Sequence, residues 1–302
     1  MGRCRRFLAL LLSFALFSGC ARRVPQQEGG TLHILATTYP IYLFTTAVVG
    51  DAEGVEVELL VNSQTSCLHD YTLTVKDMKA IEQADVIIMN SAGLEDFMAD
   101  ALAQSDATVI DCSESVQLLP TLEHEGHDGH DHEEEYDPHY WMDPHQAGQV
   151  AESIANGLAA FQEDRAGTYR ANAGAALDSL SQIDPFYRNI VYPAYPLITF
   201  HDGFQYFADA YGLDLLKAIE EEEGATASAA EIKEISALIE ENHIPAIFVE
   251  KNGSRKTADV IARETGCKVY ELDMLMSGDG VGIQPYIDAI EKNLTTILEA
   301  FS

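Results

Sequence analysis

The sequence is poor in basic residues, and this shortage excludes one large class of partners. Lysine and arginine number 18 against 49 aspartates and glutamates, so the formal net charge is −31 at pH 7. Nucleic acid is therefore not an expected partner, because phosphate binding requires basic patches or stripes. The charge favours attraction of cations, and a purely solubilising surface is the alternative explanation.

Cysteine is also scarce, with five residues in a chain of 302. Two of them, Cys4 and Cys20, lie in or next to the N-terminal leader, which leaves Cys67, Cys112 and Cys267. An odd number implies at least one unpaired thiol in an oxidising compartment, so the chain is not a disulfide scaffold.

A single long apolar segment, from Phe7 to Phe17, follows three arginines in the first six residues. It is too short for a permanent transmembrane helix, and the pattern predicts a signal peptide at residues 1–19. Cys20 follows small residues as in a bacterial lipobox, and its acylation would anchor the chain outside the cell membrane. Cleavage of an ordinary signal peptide nearby is the alternative. Residues 20–30 lack periodicity and indicate a tether.

After the leader, short apolar strands alternate with amphipathic helices, which is typical of α/β folds with parallel sheets. The predicted strands are 32–36, 55–61, 86–89, 108–110, 197–200, 246–249 and 268–272, and the predicted helices are 41–49, one after Thr74, 95–103, 204–211, 229–241, 257–264 and 285–301. Residues 146 to about 192 are mostly helical and separate the two halves. The sequence therefore predicts two α/β lobes joined by helix, with a ligand site in the cleft between them.

One segment, residues 123–137, is rich in histidine and carboxylate and contains no aliphatic side chain. Its histidines are His124, His127, His130 and His132. Such a segment has no residues to build a core, so we expect a mobile loop. Imidazole and carboxylate suit zinc and similar divalent ions, which predicts auxiliary metal binding here. A solvated acidic loop is the alternative.

Three further histidines lie just after a predicted strand or in the loop beyond one: His69, His139 and His201. Each has acidic neighbours that could orient its ring. Any one alone would more often be a hydrogen-bonded surface histidine, but three in such positions, in both lobes, indicate a metal site assembled in the cleft.

At these residues the chain resembles the zinc/manganese solute-binding lipoproteins of bacterial ABC importers, the cluster A-I group. The resemblance extends from Leu32 to the C-terminus. The matching stretches are His69-Asp70-Tyr71, Ala84-Asp85-Val86-Ile87, His139-Tyr140-Trp141-Met142-Asp143-Pro144, Phe200-His201-Asp202 and Ile247-Phe248-Val249-Glu250.

The resemblance implies a ligand set and a function. By position, His69, His139 and His201 are three metal ligands and Asp273 is the fourth, with Glu271 or a water molecule as competitors. Cys67, two residues before His69, is either a further ligand or a packed thiol. The family fold has two lobes bridged by one long rigid helix, which the resemblance places at 165–190, between an N-terminal lobe at 31–164 and a C-terminal lobe at 191–302. Family members capture zinc or manganese outside the cytoplasm and deliver it to an ABC permease.

We therefore expect a monomeric, lipid-anchored, extracytoplasmic zinc-binding protein that is not an enzyme. Three imidazoles favour Zn²⁺ over Mn²⁺, which prefers oxygen ligands, and a manganese-binding homologue is the first alternative. A zinc hydrolase would require an open coordination position, and the sequence has no His-Glu-x-x-His pair. A surface adhesin is the third possibility, but that function does not explain the three histidines.

Overall fold

Two parallel sheets of four strands organise the chain in the computed structural model, which describes residues 30–62, 68, 71–122, 136–187, 195–219, 227–251 and 253–302. The strands are β1 (Leu32–Ala36), β2 (Val55–Leu59), β3 (Val86–Met89), β4 (Thr108–Asp111), β5 (Leu197–Thr199), β6 (Leu215–Ala218), β7 (Ala246–Glu250) and β8 (Lys268–Leu272). Residues of β1, β3, β5 and β7 are almost all buried, as expected for inner strands covered on both faces.

The two sheets have the same topology. Their strand orders are β2-β1-β3-β4 and β6-β5-β7-β8, with every pair parallel. In each sheet the order reverses once, between β1 and β3 in the first and between β5 and β7 in the second. Ligands of such folds bind beyond the carboxyl ends of the strands at this reversal. The chain thus has two equivalent positions for functional side chains, one in each lobe.

Nine α-helices occur among the described residues, and they cover the sheets and connect the lobes. They are α1 (Tyr39–Val49), α2 (Val75–Gln83), α3 (Ala99–Leu102), α4 (Pro144–Phe161), α5 (Ala166–Tyr187), α6 (Gln205–Tyr211), α7 (Ala229–Asn242), α8 (Lys256–Thr265) and α9 (Gln284–Ala300). Thr74 and Asp77 form a complete capping box at the start of α2, the helix predicted after Thr74. The long helix between the lobes is α5. Among the described helices, none has both the length and the apolar character needed to cross a bilayer.

One hydrophobic core extends through both lobes, and a second, smaller cluster, which includes Ile198 and Ile247, lies within the C-terminal lobe. A single cluster of buried side chains runs from Ile34 and Ile88 in the first sheet to Phe248 in the second and Leu294 in α9. Hydrogen bonds also cross between the lobes: Trp141 Nε1 donates to the carbonyl of Met274 at 3.0 Å. The lobes therefore meet through a packed interface, which positions side chains on either side of the cleft against each other.

Two elements differ from the sequence-based expectations. The edge strand β6 was not predicted, because Leu-Leu-Lys-Ala lacks β-branched residues and pairing with β5 determines its structure. The helix expected at 95–103 begins instead as a 3₁₀ turn, Asp96–Met98. Glu95 is not helical because its side chain turns back to accept hydrogen bonds from the backbone after β3.

Candidate metal centre

His139 lies on a short segment that is anchored by large buried side chains. A 3₁₀ turn, Tyr140–Met142, follows it, and all three residues of that turn are fully buried. Asp143 then caps α4 by accepting a hydrogen bond from the amide of His145 at 2.9 Å, so its role is structural. His139 itself is 4% exposed. Its position is therefore fixed by packing on the C-terminal side.

A carboxylate fixes the orientation of the His139 ring. Asp137 Oδ1 lies 2.7 Å from His139 Nδ1 and also accepts a hydrogen bond from the His139 amide at 2.9 Å. Burial lowers the pKa of His139, but the negative charges of Asp137, Asp202 and Glu250 outweigh this effect and the pKa is raised. A proton held on Nδ1 by Asp137 leaves the lone pair of Nε2 to bind a metal.

His201 follows β5, at the point where the strand order of the second sheet reverses. The Thr199 hydroxyl donates to its carbonyl at 2.8 Å and fixes the backbone. Its Nδ1 lies 3.4 Å from Oε1 of Glu250, the last residue of β7, and its Nε2 lies 3.4 Å from Asp202 Oδ1. Both strands at the reversal thus contribute to this half of the site.

The two histidines meet across the cleft with a spacing that suits zinc. His139 Nε2 and His201 Nε2 are 3.3 Å apart, and the two rings are perpendicular. With Zn–N bonds of about 2.0–2.1 Å, adjacent ligands of a tetrahedral site are separated by roughly 3.3 Å. His139, His201 and Asp202 each offer a ligand atom, and these atoms all lie within 4.8 Å of one another. Two imidazoles and a carboxylate therefore converge at one point.

A family model matches most of this chain. The model described as "Zinc-uptake complex component A periplasmic", ZnuA, matches residues 34–300. The chain belongs to this family.

Two curated relatives match most of this chain. The zinc-binding lipoprotein AdcA of Streptococcus pneumoniae is 31% identical over 286 residues, which cover 90% of this chain and 56% of that protein. The chain therefore spans about half the length of that relative. The high-affinity zinc uptake system protein ZnuA of Bacillus subtilis is 29% identical over 311 residues, covering 96% of this chain and 94% of the relative. A solved structure, "Crystal structure of ZnuA", has a TM-score of 0.78 at 25% identity and covers 90% of this chain and all of that one.

The predicted site residues fall into three groups. His139 and His201 are brought together. His69, Cys67, Cys20 and the loop histidines His124, His127, His130 and His132 lie outside the described residues.

The third group contains the two carboxylates considered for the fourth ligand position, and both of them make other interactions in the structure. Asp273 Oδ2 lies 2.7 Å from Lys251 Nζ, and its Oδ1 accepts a hydrogen bond from the Leu275 amide at 2.8 Å. Its competitor Glu271 pairs with Arg255 at 2.8 Å. Neither carboxylate belongs to the cluster around His139 among the described residues.

Sequence reasoning missed the roles of Asp137 and Glu250. Asp137 was assigned to the mobile loop 123–137, yet it is 4% exposed and contacts His139. The clue in the sequence was that Asp137 lies two residues before His139, a candidate ligand. Glu250 was noted only as part of a family stretch, although a carboxylate at the end of the buried strand β7, next to the reversal, could have been identified.

Gly203 is a further residue that the site requires. A Cβ at this position would lie 2.1 Å from Met274 Cε and 3.0 Å from both Cγ and Cδ2 of His139. Because the end of the Met274 side chain can move, the tighter constraint on a larger residue here is the His139 ring.

Proposed function

We propose that this chain is the extracytoplasmic component of a zinc importer, which captures Zn²⁺ between its two lobes and delivers it to an ABC permease. The observation that carries the proposal is the 3.3 Å separation of His139 Nε2 and His201 Nε2, with Asp202 close to both. The zinc-binding names of the relatives support the same cargo.

For the ligands, we infer that His139 and His201 each bind the ion through Nε2. His69 is the third imidazole implied by the family resemblance. The carboxylate best supported by distance is Asp202, 3.4 Å from His201 Nε2, whereas Asp273 would first have to leave Lys251. Comparison of Asp202→Asn with Asp273→Asn in a zinc–chelator competition separates the two assignments. The weaker binder of the pair identifies the ligand.

For the metal, the donor set favours zinc. Nitrogen-rich sites bind zinc more tightly than manganese, and manganese prefers oxygen donors in larger number. Copper and nickel would also bind such a site in vitro, so affinity alone does not identify the cargo. Equal concentrations of zinc and manganese, followed by metal analysis of the protein, test the choice. Retention of manganese over zinc would contradict it, and His201→Glu should move the preference toward manganese.

We further infer that the chain is not an enzyme. Four protein ligands would close a tetrahedral site and leave no position for an activated water. Hydrolytic turnover by the zinc-loaded protein would overturn this inference. Acylation of Cys20, a membrane-anchored location and a monomeric state remain expectations. Mass spectrometry of the mature N-terminus and sedimentation of the purified protein would test them.

The decisive experiment is metal analysis of the purified mature protein and its His139→Ala variant. The parent should hold one tightly bound zinc ion, and the variant should lose it while its circular dichroism stays unchanged. A His139→Ala protein that binds zinc as tightly as the parent would refute the proposed site.

A further inference from the structure

The loop that follows β3 has a strained backbone. Ser91, Ala92 and Gly93 have φ values of 64°, 55° and 87°, so three consecutive residues lie in the left-handed region. Residues with a β-carbon are disfavoured in this region, and they adopt it only where surrounding contacts hold them there. The contacts that hold this loop in its strained conformation therefore indicate what that conformation is used for.

The contacts come from the buried carboxylate of Glu95, which is 3% exposed. Its Oε1 accepts from the Thr37 hydroxyl at 2.5 Å and from the Asn90 amide at 2.9 Å, and its Oε2 accepts from the Ser91 amide at 2.8 Å. Burial, opposed by these three donors, raises the pKa of Glu95 from 4.5 to about 7. A carboxylate kept in a site that disfavours its charge is a candidate for a functional role.

Asn90 connects this loop to the metal centre. It is fully buried, its side chain donates to the carbonyl of Pro138 at 3.0 Å, and its own carbonyl accepts from the Tyr140 hydroxyl at 2.6 Å. Pro138 and Tyr140 are the residues on either side of His139. The first lobe thus holds the backbone of its ligand segment at the reversal between β1 and β3.

We propose that Glu95 is a positioning residue for the metal centre: acting through Asn90, it fixes the backbone on both sides of His139 and so determines where Nε2 of that ring lies. The inference rests on the proposed function, because it assigns Glu95 a role in metal affinity. Glu95 itself does not touch the ion. Its loss should therefore weaken binding without abolishing it.

The test is a zinc–chelator competition at pH 8, where Glu95 is ionised, with the parent, Glu95→Gln and the exposed control Glu152→Gln. Outer-layer partners of metal ligands contribute roughly 10–100-fold to affinity, so Glu95→Gln should bind about tenfold more weakly. Glu152→Gln should match the parent. Addition of Ser91→Gly and Ala92→Gly to Glu95→Gln should restore part of the affinity, because glycine adopts positive φ without strain.

Parent-like affinity in a folded Glu95→Gln protein would overturn the inference, as would failure of the two glycines to restore any binding. If Glu95→Gln does not fold, Asn90→Ala decides: about tenfold weaker binding supports the inference and parent-like binding overturns it. His139→Ala is measured in parallel. If it binds as tightly as the parent, the proposed function fails, which is a different result from parent-like binding by Glu95→Gln alone.

Discussion

The two halves of the proposed metal centre hold their histidines with unequal firmness. In the first half the His139 side chain is 5% exposed, and its Nδ1 lies 2.7 Å from Asp137, which also binds the His139 amide. In the second half the His201 side chain is 14% exposed, and its Nδ1 lies 3.4 Å from Glu250. The first half is therefore prearranged, whereas the second retains room to adjust when the ion arrives.

Removal of either ligand should have the largest effect. On the proposed ligand assignment, His139→Ala and His201→Ala each delete one metal bond, so zinc affinity should fall by more than the roughly 100-fold that loss of an outer-layer partner can cause. A chelator competition measures this, and His145→Ala, an exposed histidine at the start of α4, is the matched control. A much smaller loss for His201→Ala would mean that the adjustable half contributes little to binding.

The buried carboxylate of Glu95, which fixes the segment around His139, should make the stability of the fold depend on pH. The pKa of Glu95 is raised from 4.5 to about 7 in the folded protein by burial, with the charge of Asp111 contributing. Because the folded state retains this proton at higher pH, the associated stability is present below about pH 4.5 and is lost by about pH 7. Its loss should amount to roughly 3 kcal/mol. Urea unfolding of the metal-free parent and Glu95→Gln at pH 5 and pH 8 tests this, since their difference in unfolding free energy should change by up to that amount. A pH-independent difference would contradict it.

Replacement of Asp137 and Glu250, the carboxylates that orient the two histidine rings, should show directly how unequally the rings are held. Asp137→Asn should weaken zinc binding toward the upper end of the roughly 10–100-fold range for such partners, and Glu250→Gln toward the lower end. The Asp137 contact is shorter and is reinforced by a backbone hydrogen bond. Equal losses, measured by the same competition, would mean that both halves are equally firm in solution.

Some of this organisation could be predicted from sequence and some could not. Val86–Met89 was predicted as a strand because a continuous apolar run suits a strand buried on both faces. The proposed ligands His139 and His201 could be suspected from their acidic neighbours and from the family resemblance. The sequence predicted that both contribute to one site, but it could not give the 3.3 Å spacing of their Nε2 atoms, because 62 residues separate them and only the packed interface sets that distance. Asp137 was misassigned for a related reason: composition described its segment as a solvated loop, while its own contacts are buried.

Gly203→Ala should reduce zinc affinity less than replacement of Asp137 does. It acts on the His139 ring from the opposite lobe. The added methyl group would press on Met274, which can move, and on the His139 ring, which is held by Asp137. We expect zinc affinity to fall by about tenfold or less, since the ring must shift by only a fraction of an ångström. Gly174→Ala in α5, where a Cβ meets no atom within 4 Å, is the control. It should leave affinity unchanged and stabilise the helix by up to about 1 kcal/mol. Parent-like affinity in Gly203→Ala would show that the first half also adjusts.

The smallest effect on the tight site should come from removal of the histidine-rich loop, provided that the cut spares Asp137. The structure closes the base of the loop by a β-bridge between Pro120 and Tyr136 and by a hydrogen bond from the Asp137 amide to the Leu119 carbonyl at 2.8 Å. Replacement of residues 123–135 by a short glycine linker should therefore leave the tight zinc affinity within about twofold of the parent, because Asp137 keeps its contact with His139. The total number of zinc ions bound at saturation should fall, because the loop histidines are removed.

A longer deletion, of residues 123–137, is the informative partner. It differs from the first by Tyr136 and Asp137 alone, yet it should weaken the tight site as much as Asp137→Asn does. Isothermal titration with zinc measures both the tight affinity and the stoichiometry in each protein. If the shorter deletion already removes the tight site in a folded protein, the loop supplies a primary ligand. If the two deletions bind zinc equally tightly, Asp137 does not hold His139 in the way that the 2.7 Å contact implies.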